Sequence, residues 1–218
     1  NMMNMTRVGD VLVKANTLAN ASVAQFSEAL TTKAAAAMRA FGIDVEEGAA
    51  VLAAFADQGI KGAQAGTAYG IVLRDLTTKA LENRAAFKEA NIAVFDNAGE
   101  LRRMPDIIAD VERRMEGMSD AQKKATLLQL GFTDKSVGFL NALIGMSEKM
   151  ETFETGLNQA GGAMDEVAGK SMTELTSQLN ELKAIWEAFT ITIGPELIGM
   201  FTATKDTVSG VNEGFGLF

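Results

Sequence analysis

The sequence contains no cysteine and no histidine among its 218 residues. Without cysteine the chain has no disulfides and no thiolate nucleophile, and without histidine it has no imidazole base, so the usual zinc ligands are missing as well. Proline is also scarce, with two residues, whereas alanine is abundant and methionine occurs 12 times. These features exclude most familiar catalytic sites and favour long helices with adaptable apolar faces.

Positive charge is limited, with 20 basic against 28 acidic residues, a net charge of -8 and a pI of about 4.7. The basic residues form no stripe, so we expect no sequence-specific nucleic-acid binding. The first residues lack the pattern of a secretory signal, and we expect no export. The most apolar window, residues 189–201, is shorter than the roughly 20 residues that span a bilayer. We therefore expect a soluble chain, and its glycine-spaced end at residues 210–218 indicates a segment of a longer protein.

Apolar residues recur at alternating steps of three and four between residues 139 and 193. A first run comprises Phe139, Leu143, Met146, Met150, Phe153, Leu157, Ala160 and Met164. After a slip near residue 168, a second run comprises Met172, Leu175, Leu179, Leu182, Trp186, Phe189 and Ile193. Such a repeat keeps one stripe facing a partner helix, so we call the second run the seam and predict that it mediates helix association. The partner is a second copy or the same chain folded back at Gly161 and Gly162, and a long helix packed on its own domain fits the spacing equally well.

Local signals place several shorter helices before this region. A helical period covers residues 8–18, a capping-box pattern at Ser22 opens a helix that ends at Gly42, and Asp44 opens another that ends at Gly59. Later helices run from Pro105 to Gly117 and from Ser119 to Gly131, and Thr133 or Asp134 opens the heptad region.

The stretch of residues 59–70 is rich in glycine but does not match a phosphate-binding loop. A P-loop requires four residues between its glycines and then Gly-Lys-Ser/Thr, and a dinucleotide loop requires a preceding strand. We interpret the stretch as a site of close helix packing by its small residues, Gly62, Ala65, Gly66, Ala68 and Gly70.

Residues 92–95 give the one strand signal, and residues 96–99 give a turn, so we predict a short β-hairpin over residues 92–101. Asp96 and Asn97 faintly resemble a calcium loop, but the later bidentate glutamate and the alternating oxygen ligands are missing, so we assign no metal. The acidic pairs Glu46-Glu47 and Asp165-Glu166 lie at helix starts, where the helix dipole favours negative charge, and we interpret them as structural.

The predicted fold is mainly all-α: a bundle of short helices with one small β-hairpin and a long heptad-bearing C-terminal helical region. We expect a helical core domain over residues 1–133, with the hairpin near residues 92–104. A coiled-coil-like or hairpin helical region follows over residues 134–209, and a flexible tail over residues 210–218.

Several segments resemble the core domain of the TP901-type phage tail tape measure family. The most specific segment contains Gly59, Ile60, Lys61, Gly62, Ala65, Gly66 and Thr67. Further similarity covers nearly the whole chain: residues 10–12, Ser22, residues 41–43, Glu46, Leu73, Leu76, residues 92–101, 105–108 and 160–163, Trp186 and residues 193–194. Residues 130–133 depart from the family, which usually has a Phe-Gly pair followed by a small polar turn there.

The resemblance implies a structural protein held in the lumen of the tail tube of a virion, whose length sets the tail length, and which is assembled in the host cytoplasm. It implies contact with the tail tube and with tail assembly proteins, contact with the host membrane during infection, and no cofactor. Two alternatives remain open. One is a membrane-perturbing helical module released during genome delivery, and the other is a cell-wall glycan hydrolase that uses a lone glutamate. We expect no enzymatic activity.

Overall fold

The computed structural model describes the backbone of residues 2–168 and the side chains of residues 6–166. This part of the chain is helical, which confirms the predicted all-α class. The helices are α1 (Met2–Leu18), α2 (Val23–Ala29), α3 (Ala35–Phe41), α4 (Val45–Asp57), α5 (Gly62–Glu82), α6 (Arg84–Glu89), α7 (Met104–Met115), α8 (Asp120–Gln129), α9 (Asp134–Leu143), α10 (Ser147–Asn158) and α11 (Ala163–Ala168). A π-helical segment, Leu30–Ala34, joins α2 to α3.

Local capping sets several helix starts where the sequence predicts them. Ser22 caps α2 in a capping box with Gln25, and Ser119 caps α8 in the same way with Gln122. The side chain of Asp44 accepts a hydrogen bond of 2.8 Å from the backbone N–H of Glu47 at the start of α4. Each of these bonds satisfies a backbone donor that the first turn of a helix leaves without a partner.

Helix α4 ends in a Schellman motif. Gly59 has a φ of 81°, a conformation that glycine adopts without strain, and its N–H donates to the carbonyl of Ala56 at 3.0 Å. The N–H of Ile60 donates to the carbonyl of Phe55 at 2.9 Å. This pair of bonds closes the helix and turns the chain into α5.

Helices α4 and α5 lie at the centre of the fold. Residues 48–56 of α4 are buried without interruption, as expected for a helix surrounded by others. Helix α4 packs against α1, α5 and α10, and α5 packs against α2, the π segment and α9. The largest fully buried side chains include Phe55 and Leu52 of α4 and Tyr69, Leu73 and Leu76 of α5.

The β-hairpin predicted over residues 92–101 does not form. Among residues 2–168 the chain has no strand, and the segment shows one isolated antiparallel bridge between Phe95 and Leu101. Side chains satisfy the neighbouring backbone groups in place of a strand ladder. Asp96 accepts hydrogen bonds from two N–H groups of the turn, each at 2.9 Å, and Asp110 of α7 accepts one at 3.1 Å from the residue two before Phe95. The β-rich run is therefore a loop whose backbone N–H groups are hydrogen-bonded by carboxylates.

The first heptad run does not form one continuous helix. The run is divided among α9, α10 and α11, with breaks at Gly145 and Gly162, whose φ angles are 87° and 80°. Leu143, Met150 and Leu157 of the stripe are fully buried in the same core as α4 and α5. The first run therefore serves the packing of this folded unit. The region predicted over residues 134–209 extends beyond the described residues, as does the tail, so the domain division stays a prediction.

Candidate functional site

The structure places the family-like segment, residues 59–67, at the junction of α4 and α5. Gly59 and Ile60 form the turn, and Ile60 packs against the core. Lys61 is the N-cap residue of α5, without a side-chain cap, and the other segment residues singled out by sequence, Gly62, Ala65, Gly66 and Thr67, lie in the first turns of α5. The segment therefore begins the central helix where it meets α2.

Glycines allow α5 to approach α2 and the π segment at backbone distance. A Cβ atom added at Gly66 would lie 2.8 Å from the carbonyl carbon of Ala29 and closer still to its oxygen, well below any distance that real Cβ atoms show. At Gly70 an added Cβ would lie 3.2 Å from the Cβ of Lys33. The two glycines are one helical turn apart, so they form a narrow face that receives the neighbouring backbone.

Threonine hydroxyls account for the π segment opposite this face. Thr31 Oγ1 donates to the carbonyl of Ser27 at 3.0 Å, and Thr32 Oγ1 donates to the carbonyl of Glu28 at 2.8 Å. Side-chain donors of this kind compete with the backbone N–H groups of the helix for the same carbonyl oxygens. The N–H of the residue after the segment then bonds to the carbonyl of Leu30, five residues earlier, and the helix is locally widened beside Gly66. Two adjacent threonines are a weak signal, and sequence reasoning missed this feature.

The seam residues Met172, Leu175, Leu179, Leu182, Trp186, Phe189 and Ile193 lie outside the described residues. Their association with a partner helix stays a prediction.

Carboxylates from distant helices cap three helix starts. Glu47 of α4 accepts a hydrogen bond from the N–H of Met104, which opens α7, at 2.8 Å. Glu112 of α7 in turn accepts bonds from the N–H groups of Gly145 and Ser147, at 2.7 and 3.1 Å, and caps α10. The residues at the N-cap positions of α7 and α10 supply no side-chain cap of their own. These glutamates therefore tie one helix to the next.

Asp10 of α1 caps α11, although the two helices lie near opposite ends of the described sequence. Its Oδ2 accepts from the N–H of Gly162 at 3.1 Å, and its Oδ1 accepts from the N–H of Met164 at 2.9 Å. Asp10 is 5% exposed. Sequence reasoning missed these remote caps. The sequence indicates only that α7 and α10 lack a capping side chain at their own N-cap positions. It does not indicate which distant residue supplies the cap.

Burial shapes the electrostatics around Glu47. Its pKa is raised above the ordinary value of 4.5, mainly because burial disfavours the charged form, and the nearby charges of Glu154 and Asp44 act in the same direction. The hydroxyl of Tyr69 is fully buried, has no hydrogen-bond partner among the described residues, and has a pKa raised by burial. The pKa of Arg103 is raised by its hydrogen bond to Glu154, at 2.7 Å. Tyr69 is fully buried, so a substrate cannot reach its hydroxyl. Glu47 already serves as the cap of α7.

A shallow groove of about 260 Å³ lies between α7 and α10, lined by Pro105, Ala109, Glu112, Arg113, Ser147, Glu148 and Glu151. Glu112, the least exposed of its three glutamates, caps α10. Within residues 2–168 we find no group of three acidic side chains arranged to hold a metal ion, and no helix there is long and apolar enough to cross a bilayer. The acidic pair Glu46-Glu47 is structural in this fold, because Glu46 pairs with Arg7 and Glu47 caps α7.

Comparison of the sequence with known proteins assigns the chain to a family. A family model described as "Phage-related minor tail protein" matches residues 1–131. The tape measure protein of Pneumococcus phage Dp-1 is 25% identical over 208 residues, which are 95% of this chain and 18% of that protein. The chain thus spans about a fifth of the length of this relative. No solved structure matches the chain significantly. These matches confirm the resemblance to phage tail proteins, while the narrower TP901-type assignment stays a prediction. The chain belongs to the phage-related minor tail protein family.

Proposed function

We propose that this chain is a structural segment of a tape measure protein, which lies in the lumen of the tail tube and contributes to tail length. The similarity over 95% of the chain to a phage tape measure protein carries the proposal. The match covers 18% of that relative, so the chain accounts for one part of a much longer molecule. Its partners are then the tail tube and tail assembly proteins, and it enters the virion during assembly in the host cytoplasm.

The use of acidic side chains supports a structural role without catalysis. Glu47, Glu112 and Asp10 each accept a backbone hydrogen bond from a second helix, and Glu46 pairs with Arg7. A glutamate that acts as a general acid needs access to substrate as well as a raised pKa. Glu47 has a raised pKa, but its carboxylate already accepts a hydrogen bond from the backbone N–H of Met104. We therefore propose that this segment has no hydrolytic activity, and turnover of purified peptidoglycan by the purified chain would contradict this.

The seam supplies the proposed contact with a partner helix. Its seven apolar residues, Met172 to Ile193 in sequence, follow the heptad spacing that packs helices side by side. Association between copies or within one chain is driven by burial of these side chains, each contributing about 1.5–3 kcal/mol for a large residue.

An in-frame duplication of this segment in the phage genome tests the tape measure role. Tail length is measured by electron microscopy, and a deletion of the segment is the reciprocal variant. A segment that adds length as an extended helix lengthens the tail by roughly 330 Å, at about 1.5 Å per residue. A segment that stays compact adds roughly 40 Å, the diameter expected for a folded unit of this size.

Substitution of Gly66 by alanine within the duplicated copy is the matched control. It changes the packing of the segment and leaves the residue count unchanged, so a tape measure retains the added length. Unchanged tails with intact assembly in both the duplication and the deletion would refute the proposal.

A further inference from the structure

The first and last helices of the described unit lie side by side. Asp10 of α1 accepts hydrogen bonds from the N–H groups of Gly162 and Met164, at 3.1 and 2.9 Å. Next to Asp10, Gly9 leaves room for the Met164 side chain, since an added Cβ would lie 3.2 Å from its Cε. Ala163 and Met164 also pack against the core. The start of α11 is therefore fixed to α1 by polar and apolar contacts.

The end of α10 is fixed to α1 as well. Arg7 pairs with Glu46 of α4, and its guanidinium lies 3.5 Å from the carbonyl oxygen of Asn158, the last residue of α10. A positive charge is favourable there, because the C-terminus of a helix carries partial negative charge. At the other end of α1, Leu18 lies so close to α10 that a Cβ added at Gly156 would be 3.0 Å from its Cδ1. Helix α1 thus holds both α10 and α11.

These contacts join residues that are more than 150 positions apart. We call Arg7, Asp10, Asn158, Gly162 and Met164 the clasp. Arg7 lies one helical turn from Asp10, and Asp10 bonds directly to Met164, so residues 7 and 164 lie within about 15 Å of each other. As one continuous helix the same stretch would span about 240 Å, at about 1.5 Å per residue. The fold therefore brings together the two ends of a long stretch of chain.

We propose that the clasp is a conformational device that makes residues 7–164 one short step along a longer tape measure chain. A chain that enters through α1 leaves beside it, so the unit adds the separation of its two ends to the tape, and that separation is smaller than its diameter. Domains whose ends are close together can be inserted into a longer chain without displacing what lies on either side. The closure is a property of the folded chain alone, and its effect on tail length rests on the proposed function.

The separation of the two ends can be measured on the full chain with two engineered cysteines, which are the only thiols because the sequence has none. Thr6→Cys and Asp165→Cys place spin labels at exposed positions on either side of the clasp. Electron paramagnetic resonance should give one narrow distance distribution below about 30 Å, label linkers included. In urea the same labels should separate to about 70 Å or more, as expected of an unfolded stretch of this length. A separation above about 40 Å in the folded chain, the diameter of the unit, would overturn the proposal.

Two replacements in the phage genome test the consequence for tail length. In the first, a short glycine-serine linker replaces residues 7–164, and tails should shorten by no more than about 20 Å. In the second, a continuous helix-forming repeat with the same number of residues replaces them, and tails should lengthen by about 220 Å. The variant that loses the most residues should therefore change tail length the least.

The outcomes separate this inference from the proposed function. Tails shorter by about 240 Å in the linker variant would overturn the short step and leave the tape measure role intact, because tail length would then depend on every residue of the stretch. Tails of unchanged length in both variants would contradict the tape measure role instead. The label distances decide whether the two ends meet in either case, since they require no tail assembly.

Discussion

Replacement of Gly66 by alanine tests the close packing of α5 against α2. In an ordinary helix interior, Gly→Ala stabilises the helix by about 1 kcal/mol because alanine has the higher helix propensity. At Gly66 the added methyl would meet the backbone carbonyl of Ala29, which no side-chain rotation relieves. The substitution should therefore destabilise this protein, against the intrinsic preference.

The expected magnitude follows from the displacement that the methyl requires. To restore an ordinary contact with the carbonyl oxygen, α5 and the backbone at Ala29 must separate by about 1.4 Å. Helix α5 also packs against α4 and α9, so this movement loosens contacts elsewhere. Overpacking of this kind costs about 1–3 kcal/mol, and more where backbone must move, which exceeds the gain of about 1 kcal/mol from helix propensity. We expect a net loss of about 2 kcal/mol.

Gly138 provides the matched control. It lies in α9, is exposed, and an added Cβ would meet no atom within 4 Å. Gly138→Ala should raise the free energy of unfolding by about 1 kcal/mol, so the two variants should differ by about 3 kcal/mol, or about 6–12 °C in melting temperature for a chain of this size. Thermal melts and urea titrations followed by circular dichroism measure the difference. A Gly66→Ala protein as stable as Gly138→Ala would refute the close packing.

Further substitutions test the buried polar groups and the seam. Because burial raises the pKa of Glu47, its ionisation costs stability at neutral pH, and stability should increase as the pH falls through the raised value toward 4.5. Glu47→Gln keeps an oxygen for the N–H of Met104, so its melting temperature at pH 7 should equal or exceed that of the wild type and vary less with pH, and a clear drop would contradict this. Tyr69→Phe removes a buried hydroxyl without a partner, so the unfolding free energy measured in urea should stay or rise by about 1 kcal/mol, and a loss would reveal a hydrogen bond. Leu182→Ala with Trp186→Ala should cost several kcal/mol by loss of burial, of the order of 2–5 per residue. In sedimentation a smaller oligomer supports association between copies, a lower melting temperature at constant mass supports a hairpin, and no change in either contradicts the seam.

Helix starts were predictable from the sequence where the cap is local. Ser22, Asp44 and Ser119 each precede a backbone N–H three residues later, and the structure shows each of the three bonds. A side chain and a backbone group within one turn meet whenever that turn forms, whatever the tertiary fold. The helical class and most of the helix boundaries follow from such signals.

The caps supplied by distant helices were not predictable, because each side chain is far in sequence from the backbone group that it binds. Glu47 and Met104 are 57 residues apart, and Asp10 and Gly162 are 152 apart, so each pair meets only once the helices have packed. The sequence shows a surplus of acidic residues but does not say which backbone donor each will meet. The β-rich run at residues 92–95 failed as a predictor similarly, because Asp110 from a later helix satisfies a backbone donor that a strand partner would have taken.

The division of the first heptad run among three helices bears on the second run. A stripe at steps of three and four is needed by a coiled coil and equally by each of several short helices that pack one face on a core, so spacing alone does not separate them. What divides the first run is glycine, since Gly145 and Gly162 adopt the left-handed conformation that ends helices. Residues 170–193 contain neither glycine nor proline. The feature that interrupts the first run is thus missing from the second, so the sequence gives no comparable reason for a break there. Leu182 and Trp186 are four residues apart in the predicted seam, the spacing at which side chains of a helix are neighbours, so their joint replacement is the sharpest test of the predicted association.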